Sequence, residues 1–447
     1  MAANPLQRLL GRGFSIAACV GLVIGLGILR TPGEIAKTVS EPVPYMALWI
    51  CCGLFVFLSL LVVAELIAMT PKSGGIYAMV AHAYGPYPGF LIGWTDWVSS
   101  CATIALKTVV LLEYIALLAP SISPYQTIGA VMITSCFAYM QLGGVRLGAG
   151  IQRVASTGIG LIMIALAIAL FYGFWSNGGT VAAPPDAVRV GSPGIAAFGL
   201  VIAAVVFTYD GWYAATYFSG EVKDGGRTVA IASLQGALIV FALYVLLNLA
   251  IVLSVPLSAL VGHDLALAGA LDLVFGPGAG TAIVVAAVFI LLAHQNLQYM
   301  TASRVLYSLS TDGLGSQRAT SVNDRGTPAG ATIFTWAGTS ILIIVGQFEL
   351  LLNLVAILFM AMYVGLIIGV FRLRRQEPDA ERPFRAWGFP ATGIICGLGW
   401  SAVAIFVAAA NPMSALSGLI LTLISVPVYR WLKHRRHLGE RPAAKMT

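Results

Sequence analysis

The sequence predicts an all-helical polytopic membrane protein of twelve spans, two of them interrupted in mid-membrane. Of 447 residues, 59% are hydrophobic and only 10% are charged, whereas soluble globular chains carry about 25% charged residues. Twelve apolar runs approach the ~20 residues that a bilayer requires: 14–38, 44–69, 89–118, 125–143, 151–175, 194–219, 229–254, 279–309, 329–346, 349–371, 389–409 and 412–431. The first and sixth contain glycines where a spanning helix would be continuous. Counting from these breaks gives two five-span units, about 14–175 and about 194–371, and two further spans within 389–431, all in one transmembrane domain.

The first run reads GLVIGLGILRTPG from Gly21 to Gly33. A membrane helix can break only where its freed N–H and C=O groups face protein, water or a ligand, because hydrocarbon offers them no partner. This stretch therefore predicts a cavity. Its glycines let a ligand approach the main chain, and the N-terminus of the second half-helix would present N–H groups to an anion such as a carboxylate. Close helix packing by small residues is the alternative reading. No small-residue cleavage site precedes Pro32, so no signal peptide is expected.

After the second span, TPKSGGIYAMVAHAYGPYPGF (70–90) reads as a short amphipathic cytoplasmic helix, and Glu65 before it as a structural residue that snorkels or pairs with Lys72. Span three holds Lys107 and Glu113, and charges in mid-membrane are costly enough that they usually face the bundle interior. Lys107 is a candidate functional residue; a buried ion pair with Glu113 or Asp210 is the alternative. A basic turn, GGVRLGAGIQR, joins spans four and five, and an outer segment with Pro184 and Pro185 leads to span six.

Span six, VIAAVVFTYDGWYAATYFSGE, is broken at Asp210-Gly211. Interrupted helices at corresponding places in two halves point to a midplane site between inverted repeats. Span eight carries a polar patch, AHQNLQYMTASR, in which His294, Gln298 and Thr301 share a helix face that would line the same cavity. The alternative for His294 is a satisfied packing residue.

Of the 25 Lys and Arg residues, all but Arg30, Lys37, Lys107 and Arg189 fall in the tails and alternate loops of one side. The positive-inside rule makes that side, with both termini, cytoplasmic. The net charge of +7 then needs only anionic membrane lipid as its partner and no nucleic acid. The six cysteines lie within spans and read as reduced, space-filling thiols. Five histidines show no metal-ligand spacing, and no GxxxxGK[ST] loop is present, so neither a metal, a cofactor nor direct ATP use is expected.

GLVIGLGILRTPG resembles the first-helix signature of amino acid permeases of the amino acid/polyamine/organocation superfamily, especially the bacterial members of its L-type branch. AELIAMTPKSGGIYAMVAHAYGPYPGFLIGW, FTYDGWYAATYFSGEVKD, ASRVLYSLSTDGL with VNDRGTP, and EPDAERPFRAWGFP extend the resemblance to Pro390 in the family's order. It implies a LeuT-like fold of five-plus-five inverted repeats with two added helices, in the bacterial inner membrane.

The resemblance also implies a site. The substrate α-carboxylate would meet the N–H groups of Gly25, Leu26, Gly27 and Ile28. Its α-ammonium would meet carbonyls around Val23 and Ile24 and at Phe207, Thr208 and Tyr209, beside Asp210. Phe207 would close over the substrate as a gate. Val98, Ser99, Thr103 and Leu106 of span three, Gln298 of span eight and Met360 of span ten would line the side-chain pocket. Sodium-independent relatives carry a lysine in span five where this chain has Ile159, which leaves Lys107 and His294 as candidates for proton coupling.

The chain also departs from the family. EVKDGGRTVA replaces an acid- and proline-rich loop after span six, and Asp210 stands where many relatives have Gly. The outer segment APSISPYQ lacks the cysteine by which animal members hold a glycoprotein subunit, so no disulfide-linked partner is expected. The expected function is sodium-independent exchange or proton-coupled transport of L-amino acids, neutral ones by the mixed pocket, through alternating access. A polyamine or amine permease would need further carboxylates in the pocket; a channel or nutrient sensor is a second alternative. An integral-membrane enzyme would need convergent catalytic groups, and the sequence shows none.

Overall fold

The structure is a computed structural model that describes residues 6–181, 194–262, 265–346 and 348–439. Arg189, Pro184 and Pro185 lie outside the described residues. Run one forms two helices, α1 (Arg12–Val23) and α2 (Gly27–Ala36), and run two forms α3 (Pro42–Met69). A short α4 (Ile76–Tyr84) precedes α5 (Pro86–Leu118), α6 (Gln126–Leu142) and α7 (Val145–Ser176). Run six divides into α8 (Ile195–Thr208) and a 3-10 segment, Trp212–Glu221. Then follow α9 (Gly225–Ser254), α10 (Ala266–Phe275), α11 (Thr281–Thr311), α12 (Ala329–Val345), α13 (Phe348–Gln376), α14 (Ala391–Ala410) and α15 (Pro412–Gly439).

Nine of the twelve runs, among the described residues, form helical stretches long and apolar enough to cross a bilayer. The other three fall on α6, α12 and α13. At 17 residues each, α6 and α12 are about 25 Å long, short of a hydrocarbon core of about 30 Å. The chain is thus an all-helical, polytopic membrane protein. Its lipid-facing surface is apolar: Leu161 and Ile168 on α7, Ile341 on α12 and Leu398 on α14 are each more than half exposed.

Both breaks follow from local chemistry. α1 ends where Ile24 turns extended (φ −77°, ψ 97°), and the freed Val23 carbonyl accepts the Tyr244 hydroxyl of α9 at 3.1 Å. In run six, Gly211 adopts φ +113°, which disfavours any residue with a Cβ. Its position also abuts the other break, since a Cβ there would lie 3.0 Å from the Leu22 carbonyl carbon. The carbonyl of Trp212, freed by the break, accepts from the Cys19 thiol at 3.1 Å. Each interruption is therefore satisfied largely by the other broken helix and by α9, which packs along α1 and α3.

Two expectations about the loops need correction. α4 is not an amphipathic surface helix: Ile76, Tyr77, Ala78, Met79, Val80 and Ala83 are all buried, because it packs between α5 and α13. Glu65 neither snorkels nor pairs with Lys72. It is 1% exposed and accepts a two-point fork from Arg374 (2.8 and 2.6 Å), a bond from Arg382 (3.2 Å) and the Ala386 N–H (2.9 Å). Four donors compensate the burial of this carboxylate, and they staple α3 to the last turn of α13 and the chain that follows it.

Candidate functional site

A cavity of about 410 Å³ lies where the two breaks meet α5 and α11. Of the residues expected at the first break, Val23, Gly25, Leu26 and Gly27 line it; Ile24 and Ile28 are fully buried in the core. At the second break Phe207, Thr208 and Asp210 line it, whereas Tyr209 turns into an aromatic cluster with Trp49 and Tyr244 and donates to the Trp49 carbonyl. The halves are tied by a 2.8 Å hydrogen bond between the Thr31 and Thr208 hydroxyls.

α5 contributes Asp96, Ser99, Ser100, Thr103 and Lys107. These recur at i, i+3, i+4, i+7 and i+11, so they form one stripe along a single helix face. The stripe begins with a carboxylate and ends, about 16 Å further on at 1.5 Å per residue, with an ammonium. Val98 and Leu106 fall off it and do not line the cavity. Asp96 was missed in the sequence, although stepping back seven residues from Thr103 reaches it. Met360 is likewise buried in the core, and its neighbour Phe359 lines the cavity instead. Ile159 is fully buried in the core on α7.

The polar patch of span eight serves three neighbours. His294, Gln298 and Thr301 face the cavity, and Gln298 donates to the Ser100 hydroxyl at 3.1 Å. Gln295 instead donates to the Ile104 carbonyl of α5, and Asn296 to Gly148 and Gln152 of α7. Those two residues hold helices together. The same helix end carries Arg304, 1% exposed, in a fork with Glu221 at 2.9 and 3.0 Å. Arg304 is thus not an inner-loop charge.

Lys107 pairs with neither carboxylate expected for it. Its Nζ lies 2.5 Å from His294 Nε2, and Glu113 is exposed. The contact fixes one nitrogen of the imidazole, while His294 Nδ1 is buried without a partner among the described residues. Asp210 accepts the Tyr363 hydroxyl on Oδ1 and the Tyr213 hydroxyl, at 3.4 Å, on Oδ2. Asp96 accepts the Tyr217 hydroxyl at 2.9 Å on Oδ2. Arg30 donates through Nε (3.2 Å) and Nη2 (2.8 Å) to the Tyr114 hydroxyl. Among the described residues no three His, Cys, Asp or Glu side chains gather as metal ligands.

The arrangement offers main-chain groups at two helix breaks, small polar side chains between them and opposite charges at either end. It suits a small polar organic solute better than an apolar one. The chain is 27% identical to the b(0,+)-type amino acid transporter 1 of Mus musculus over 395 residues, covering 86% of this chain and 80% of that one. It is 23% identical to the serine/threonine exchanger SteT of Bacillus subtilis over 440 residues, 97% and 98% of the two chains. To the large neutral amino acids transporter small subunit 2 of Mus musculus it is 26% identical over 439 residues, 93% and 79%. The model of the amino acid permease family matches residues 14–428, and the chain therefore belongs to the amino acid permease family of transporters.

Proposed function

We propose that this protein is a secondary active carrier of L-amino acids, sodium-independent, working by alternating access. One observation carries the reading: two helix breaks, in the first and sixth spans, open onto a single cavity. The N–H groups from Gly25 to Ile28 would hold the α-carboxylate, and the carbonyls of Phe207 and Thr208 the α-ammonium. Ser99, Ser100, Thr103 and Thr301 give a small polar wall for the substrate's side chain. The relatives named as amino acid transporters or exchangers support the substrate class.

The five-plus-five architecture follows the same logic, with repeats at about 14–175 and 194–371. α1, α3 and α9 pack together, as do α2 and α3 with α8, and these helices of spans one, two, six and seven would move as a bundle against α5 and α11. Lys107 and His294 would handle any coupled proton, in place of a lysine at Ile159. The termini would lie in the cytoplasm of a cell bounded by this membrane. Counterflow in proteoliposomes tests the reading: without sodium, labelled amino acid should accumulate transiently above equilibrium when unlabelled amino acid is inside, and passive flux with no such trans-stimulation would indicate a channel.

A further inference from the structure

We propose that Asp96 is the counter-charge for a cationic group at the end of the substrate's side chain. L-Amino acids with a terminal ammonium or guanidinium would then bind in preference to neutral ones of equal length. The inference rests on the amino acid carrier reading and adds a side-chain class to it.

Two carboxylates and one ammonium line the cavity. Asp210 has both oxygens engaged by phenols, from Tyr363 and Tyr213, and interacts electrostatically with Lys107. Asp96 differs. It is 3% exposed, and among the described residues only Oδ2 accepts a hydrogen bond, from Tyr217, and no ion pair reaches it. Lys107, the basic end of its own stripe, is about 16 Å away and is held against His294. A buried carboxylate without a cation is costly, and a cation supplied by the ligand removes that cost.

Position selects the ligand's side chain as the source. Tyr217 lies six residues beyond Gly211, about 12 Å along a 3-10 segment, so the carboxylate that its hydroxyl holds belongs to the inner side of the break, within electrostatic range of Asp210, a like charge that adds to the need for a cation. Ser99 and Ser100 follow it on the same stripe, giving a polar path along which an aliphatic stem can lead its charged end to the carboxylate. At the opposite end of the cavity His294 Nδ1 is buried with no hydrogen-bond partner among the described residues, and a Cβ on Gly25 would stand 3.6 Å from it. The cavity thus has an unpaired acceptor at one end and an unmet nitrogen at the other, as a site for an extended, doubly charged solute would.

The test compares L-lysine with L-norleucine, which has the same stem without the ammonium, and with cadaverine, which lacks the carboxylate. Equilibrium binding to the purified full chain should show lysine about tenfold tighter than norleucine, a difference of about 1.4 kcal/mol. Asp96→Asn should abolish that preference, while Tyr217→Phe should retain it. Equal lysine and norleucine affinity in the wild type overturns the proposal, and the wild-type ratio decides even where Asp96→Asn does not fold. An unchanged ratio in folded Asp96→Asn overturns it too. If neither amino acid binds and cadaverine does, the carrier reading fails while the carboxylate's role stands; if no probe binds, both fail.

Discussion

At one end of the cavity Glu221 and Arg304 meet in a two-point fork with neither side chain more than 1% exposed, whereas at the other Phe207 is 39% exposed and exposed Arg30 holds the Tyr114 hydroxyl. The first end is sealed several times over. Leu10 donates its N–H to the Glu221 carbonyl, Phe14 meets Phe218 edge-on at 4.9 Å, Arg304 lies over Phe218, and Tyr217 reaches Asp96. Among the described residues, the second end is joined across the breaks by one hydrogen bond, between the Thr31 and Thr208 hydroxyls. The contrast shows where a carrier would store its stability: opening the sealed end requires separating a buried ion pair, while closing the other requires little more than the swing of a phenyl ring.

The largest effect is expected at the fork. Glu221→Gln leaves the Arg304 charge buried and half-satisfied, and should lower stability by about 3–5 kcal/mol. Glu34→Gln, which breaks the exposed pair with Lys37, should change it little. Thermal unfolding followed by size-exclusion fluorescence measures both, and equal shifts would remove the distinction between the ends. A smaller effect is expected at the open end. Because Phe207 is partly exposed and lines the cavity, Phe207→Ala should slow exchange several-fold and leave affinity within about twofold, as loss of a gating residue does. Unchanged exchange rates would show that this end closes by other means.

The smallest effect concerns coupling. Lys107 and His294 are in contact inside the cavity, and under the proposed coupling a change at either would alter the group that binds the proton. Lys107→Ala and His294→Ala should each change the dependence of uptake on pH and leave it sodium-independent. A sodium requirement in the wild type would contradict this outright, and unaltered profiles in both variants would remove the pair from the mechanism.

The features legible in the sequence were those set by neighbouring residues. Glycines within an apolar run announce a break wherever the chain goes afterwards, so both interruptions could be read directly. Lys107 stood out because its surroundings are apolar. Asp96 did not, since it sits between Trp94 and Trp97 near the start of its run; its stripe appears only when the helix face is extended backward from Thr103. Pairings between distant segments left no local trace. Glu65 and Arg374 are 309 residues apart, and Glu221 and Arg304 are 83 apart. Periodicity could place His294, Gln298 and Thr301 on one face of α11, but it could not say what Gln295 and Asn296, off that face, would meet until α5 and α7 were in place.

The central claim is that the meeting of the two breaks is where an amino acid binds. A side chain at Gly27 would point its Cβ at Thr208, 3.3 Å from Cγ2 and 3.4 Å from Oγ1. Thr208 can yield by a few tenths of an ångström, but the branched methyls of valine would fill the gap between the half-helices. Thermal stability of wild type and Gly27→Val against a panel of L-amino acids is the direct measurement. At least one amino acid should stabilise the wild type, and Gly27→Val should fold yet respond to none; a folded Gly27→Val variant with wild-type affinity would contradict the account.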